Sequence, residues 1–174
     1  NLGGHRIDGG IDFEFPNLDI PAGEFLVVAA NTDNFHALYP DVQRVVGGWN
    51  GRLGNRSDRL LIRSPDGDEL TRARYADSGD WANRRAEFHI GAWGWTWVAP
   101  HDGEGSSLEL ANPAMPGDVG QNWLTSAQIG GTPGEVNHAA STNIAPAIVD
   151  VGHVPIIPTS GDSVSVSARV IDER

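Results

Sequence analysis

The chain has 174 residues, 39% hydrophobic and 20% charged, with 22 Gly, 11 Pro and no Cys; this globular composition suits short strands joined by turns, not a helical bundle. All twelve basic residues are arginine and the net charge is −11, which excludes lysine chemistry such as a P-loop grip and opposes contact with a nucleic-acid backbone. Without cysteine there is no disulfide or thiolate site, and no apolar run approaches the roughly 18 residues of a membrane span.

Asp12–Phe15 alternates polar and aromatic until Pro16, and Ile20-Pro21-Ala22-Gly23 is a turn. Phe25–Ala30 is a continuous apolar run, the pattern of a strand covered on both faces. Asn31-Thr32-Asp33 then offers N-cap residues for a short helix carrying Phe35, Leu38 and Tyr39 and stopped by Pro40. Gln43–Val46 and Arg59–Arg63 read as strands, and Ser64-Pro65-Asp66-Gly67-Asp68 as a hairpin turn returning through Glu69–Tyr75. Regularity weakens from Ala76 to Gly105, except in Trp93-Gly94-Trp95-Thr96-Trp97-Val98. Ser106–Leu110 and Gln121–Leu124 are further strands before the Gly130–Gly134 turn. Turn signals every eight to twelve residues predict a sandwich or barrel.

Residues 139–145 are small and polar and read as a linker. Beyond them Pro146–Val151 and Ser163–Val170 read as two strands, the second alternating Val164, Val166, Ala168 and Val170 with polar residues. Two strands do not stand alone in water, so residues 146–174 read as a fragment of a second β domain. The chain opens at Asn1 in sequence of mid-domain character and reads as a piece of a longer polypeptide.

Trp49-Asn50-Gly51-Arg52-Leu53-Gly54-Asn55-Arg56-Ser57-Asp58-Arg59-Leu60 resembles the W-x-G-x-L-x-N-x-x-D segment of lamin tail domains, an immunoglobulin-like module. Phe13–Pro16, Pro21-Ala22-Gly23 and Phe25–Val28 resemble the family's opening. Tyr75, Trp81, Ser107–Leu110, Asn122-Trp123 and Gly131–Asn137 follow in the family's order, so the likeness spans about residues 1–138. It departs at His5, where a tryptophan is common, in a missing first strand, and in the long stretch Ala82–Gly105. The bacterial versions are the closer likeness. That implies a large secreted or surface protein whose next module, immunoglobulin-like, begins near Ala145.

Chemistry is sparse. There is no nucleophile elbow, no H-E-x-x-H and no phosphate loop. His5, His36, His89, His101, His138 and His153 are scattered, and Asp66/Asp68, Asp77/Asp80 and Asp102/Glu104 lie in turn-like sequence. These acids leave room for weak calcium binding, without the spacing of a dedicated loop. Trp49, Trp81 and Trp123 read as sandwich interior. Trp93, Trp95 and Trp97 share one strand face. The favoured reading makes them a wall of the core over Phe25–Ala30; the alternative is an open platform for stacking sugar rings.

The sequence thus predicts an all-β, immunoglobulin-like sandwich of lamin tail type (1–138), a linker (139–145) and part of a second β domain (146–174). The predicted role is a non-catalytic structural or interaction module at the surface of, or outside, a bacterial cell, without a cofactor. Its partners are other domains of the same polypeptide and protein or glycan ligands; the alternative is a carbohydrate-binding module built on Trp93, Trp95 and Trp97.

Overall fold

The computed structural model describes residues 1–173. In chain order its first strands are β1 (Arg6–Gly9), β2 (Ile11–Glu14), β3 (Val27–Ala29), β4 (Val45–Gly47), β5 (Asn50–Gly51), β6 (Ser57–Arg63) and β7 (Glu69–Ala76), with helix α1 (Thr32–Leu38) between β3 and β4. Then follow β8 (Asn83–His89), β9 (Ala92–Val98), β10 (Ser106–Leu110), β11 (Trp123–Ile129), β12 (Ala147–Val154) and β13 (Ser165–Ile171). With 42% of residues in strands and 8% in helix, the fold is all-β.

One five-stranded sheet, ordered β5-β2-β1-β6-β7, forms the base. Its centre is set by the Gly9-Gly10 turn. Gly9 has φ +126°, and a Cβ there would meet the Arg59 carbonyl oxygen, so β6 closes against β1 only because glycine stands at this position. The resulting register places Ile7 opposite Ile62 and Gly9 opposite Leu60. The period-two pattern of β1 and β2 turns Ile7, Ile11 and Phe13 inward, where they join Phe15. Phe13 and Phe15 meet edge to face at 5.2 Å. Leu26, Val28, Val46, Trp49 and Leu60 close this cluster from the flanks. Each fully buried large side chain contributes about 1.5–3 kcal/mol.

The Asn31 cap holds as the sequence predicts, its Oδ1 accepting the Asn34 N–H at 2.8 Å. Phe25–Ala30 differs from expectation. Only Val27–Ala29 is strand, paired in parallel with β4, and of these only Ala29 is buried. Val27 and Val28 lie half-exposed because β3 and β4 form a two-stranded sheet that no third described strand extends.

The remaining strands form antiparallel pairs, β8–β9, β10–β11 and β12–β13. Two polar clamps tie β10 and β11 to the chain that follows. Asn122, wholly buried, accepts the Asn112 N–H on Oδ1 at 2.9 Å and donates from Nδ2 to the Asn112 carbonyl at 2.9 Å and the Pro116 carbonyl at 3.4 Å. Buried Glu109 accepts the Thr132 hydroxyl at 2.9 Å and the Ala139 N–H at 3.3 Å. That fastens the Thr132–Glu135 turn, in which Gly134 takes φ +82°. The stretch read as a linker lies against β10, with the Ser141 N–H donating to the Ala111 carbonyl at 2.9 Å. The β12–β13 ribbon is anchored through Ala147, wholly buried against Met115 and Val119.

Asn122→Ala leaves the N–H and the carbonyl of Asn112 without their partner. It is expected to lower stability by about 2–4 kcal/mol, read as a fall in urea midpoint at unchanged slope.

Candidate aromatic binding site

β8 and β9 are seven-residue strands joined by the two-residue turn Ile90-Gly91. Their register pairs Arg84 with Trp97, Ala86 with Trp95 and Phe88 with Trp93. Directly opposed residues project to the same side of a ribbon, so one face carries three indoles, a phenyl ring, an alanine methyl and one guanidinium. The hairpin pairs with no other described strand. Trp93, Trp95 and Trp97 are therefore 76%, 65% and 46% exposed, and no core wall over Phe25–Ala30 forms. Period two had indicated that the three share a face; which side that face meets depends on where the ribbon sits.

The rings are ordered by one another. Phe88 packs edge to face on Trp93 at 5.6 Å, and the Arg84 guanidinium lies 5.8 Å from the ring centres of both Trp95 and Trp97. Sequence reading had not singled out Arg84 or Phe88. The signal was present in their alternation, Arg84, Ala86, Phe88, but a strand at Asn83–His89 was not recognised.

The opposite face is polar. The Thr96 hydroxyl donates to Glu87 Oε2 at 2.6 Å, His89 Nε2 lies 3.3 Å from the same oxygen, and Arg85 is 3.9 Å away. The Thr96 hydrogen bond, helped by the charges of His89 and Arg85, holds the Glu87 carboxyl below its ordinary value against an opposing desolvation that exceeds either charge taken singly.

The turn is strained. Ile90 has φ +44° and Gly91 φ +84°, the geometry of a type I′ hairpin turn, in which asparagine or aspartate is the usual first residue. A β-branched side chain in this region is costly, and Ile90 is wholly exposed. That residue choice concealed the hairpin from sequence reading.

At its base the aromatic face opens into a groove of about 430 Å³, lined among others by Arg84, Trp97, Trp81, Trp123 and Asp80. Trp81 and Trp123 are half-buried, their indole N–H groups donating to the Arg74 carbonyl at 2.9 Å and the Gly117 carbonyl at 3.0 Å. Arg74 lies 5.4 Å from the Trp81 ring centre. The third tryptophan read as interior, Trp49, packs on the main core instead.

The other candidates stay apart. Among the described residues no three His, Asp or Glu converge as metal ligands. Asp80 accepts the Gln121 side-chain amide at 3.0 Å, and His101 Nε2 lies 2.9 Å from the Ala76 carbonyl oxygen. Comparison with protein families, characterised proteins and solved structures finds no match to this chain.

Two outcomes follow from the hairpin's geometry. A carboxyl with a lowered pKa stabilises the folded form above its unfolded value and loses that contribution as pH falls through the folded one. The tryptophan circular-dichroism couplet is therefore expected to hold from neutral pH down to the ordinary glutamate range and to decline only below it, a step that Glu87→Gln abolishes. Ile90→Asn relieves the turn and is expected to stabilise the hairpin by about 1 kcal/mol, seen as slower amide exchange in β8 and β9.

Proposed function

We propose that this chain is a non-catalytic interaction module of a multidomain secreted or surface bacterial protein, and that the β8–β9 aromatic face is its binding element. The joint exposure of Trp93, Trp95 and Trp97 carries the reading. Three adjacent indoles in water are an exposed apolar patch of the kind that marks a recognition surface. The ordered likeness of residues 1–138 to lamin tail domains supports an immunoglobulin-like scaffold role, and fold-level likeness alone prescribes no ligand. Among the described residues no constellation of nucleophile, base and oxyanion donors recommends catalysis.

The specific reading of that face is a carbohydrate platform. Indole rings offer flat apolar faces to the C–H faces of pyranose rings. Trp93, Trp95 and Trp97 have no hydrogen-bond partner for their N–H groups among the described residues, which leaves these free as donors to hydroxyls. Alternate positions on a strand stand about 6.6–6.8 Å apart, so the three rings address successive parts of an extended chain.

Titration with soluble oligosaccharides is expected to shift tryptophan emission in the wild-type chain, and Trp95→Ala to weaken binding about tenfold or more. The melting temperature of the variant should stay that of the wild type, because Trp95 is exposed. An emission spectrum unmoved by every glycan tested would overturn the carbohydrate reading. Wild-type affinity in Trp95→Ala would remove the hairpin from the site.

A further inference from the structure

The aromatic face carries one charged group, and that group is unpaired. Arg84, like Arg52, Arg56, Arg59 and Arg74, makes no ion pair and no side-chain hydrogen bond with any described residue, and it alone of these stands between two exposed indoles. The hairpin's single acid, Glu87, is on the other face and already engaged by Thr96, His89 and Arg85. Asp80 lies in the groove beyond, with its carboxylate taking the Gln121 amide. The Arg84 guanidinium is instead held by cation–π contact with two indoles.

We propose that the ladder binds an anionic polysaccharide, with Arg84 receiving a carboxylate or sulfate of the chain while the indoles stack on neighbouring sugar rings. This rests on the carbohydrate reading of the same face. Stacking leaves the edge of a guanidinium open, and its fork of N–H donors matches the paired oxygens of an oxyanion. The stack also restrains the side chain before the ligand arrives, so less rotamer freedom is lost on binding. A neutral glycan makes no use of that charge.

The net charge of −11 acts as a filter. Carboxylates over the rest of the surface repel a polyanion, while at physiological ionic strength the repulsion decays over about 8 Å. The ladder, with no acid on its face, is left as the docking strip. Discrimination of this kind works by penalising the wrong surface as much as by rewarding the right one.

The test is calorimetric titration of the full chain with polygalacturonate, heparin and neutral cellohexaose, on wild type, Arg84→Met, Arg84→Lys and Trp95→Ala. Polygalacturonate and heparin separate carboxylate from sulfate as the anion. At least one should bind the wild type more tightly than cellohexaose does. Arg84→Met should weaken that ligand about tenfold to a hundredfold and cellohexaose by a markedly smaller factor, the share owed to lost packing on Trp95 and Trp97, with Arg84→Lys intermediate; an equal loss for all three ligands would count against the anionic inference. Trp95→Ala should weaken all binding, and matching thermal melts establish that each variant is folded. Equal affinity of wild type and Arg84→Met for both polyanions would overturn the anionic inference and leave the carbohydrate platform standing. If no glycan binds, both fall. If only phosphatidylcholine vesicles shift tryptophan emission, the occupant is a lipid surface and both fall as well.

Discussion

The β8–β9 hairpin is held by one row of cross-strand pairs, because no third described strand joins it and its aromatic face lies exposed. A lone ribbon in water is marginal, and each favourable pair contributes only about 0.2–1 kcal/mol. The sequence answers with contacts on both faces: Phe88 on Trp93 and Arg84 over Trp95 and Trp97 on one, Thr96 with Glu87 on the other. The groups that give the ribbon its shape on the aromatic side are the groups it presents to solvent. Shape and recognition therefore draw on the same side chains there. A ligand of the proposed kind would meet rings already ordered by their neighbours, which lowers the entropy lost on association.

The rest of the molecule fixes where that ribbon stands. The Gly9-Gly10 turn lets β6 close on β1, and the β1–β2 face buries the aromatic core. β7 runs on through Trp81 into β8, so the hairpin root is tied to the sheet by the Trp81 N–H on the Arg74 carbonyl. From the other side, Asn122 and Gln121 hold the loop before β11 and the first residues of β12 beside the groove. Polar clamps do this beside the small apolar cluster of Met115, Val119 and Ala147, because the chain here is rich in glycine and small residues. A buried amide with two or three bonds in place is directional in a way that a methyl contact is not. The price is sensitivity, since each clamp has a partner that would be left buried and unsatisfied.

Legibility in the sequence followed the strength of local signals. The Ser64–Asp68 turn and its flanking strands carry clear turn chemistry, and β6 and β7 fall within two residues of expectation. The Asn31 cap was equally plain. β3 was not, because an apolar run indicates burial without saying how much cover exists, and its parallel partner β4 comes only after α1. The β8–β9 hairpin was missed for a different reason. Its turn is Ile90-Gly91, and local propensity argues against isoleucine at positive φ. The three tryptophans were found, their common face was found, and their exposure was not. Exposure is decided by the absence of a covering sheet, a fact that no residue within the hairpin encodes.

Two features of this hairpin stand out: an exposed, strained isoleucine at its tip and, on its aromatic face, a lone arginine held between two indoles rather than by a carboxylate. Departures of this kind are tolerated where another demand offsets them, and they cluster at functional positions. Arg84 makes the stronger case, because it is the one charged side chain among the rings and lies 5.8 Å from the centres of two of them. Its neighbours on the hairpin face are an alanine, a phenylalanine and three indoles, and the one acid of the hairpin projects to the opposite side. Register enforces this segregation: a shift of one residue in β8 would bring Glu87 onto the aromatic face and carry Arg84 away from it. The same pairing that stabilises the ribbon therefore also keeps negative charge off its aromatic face.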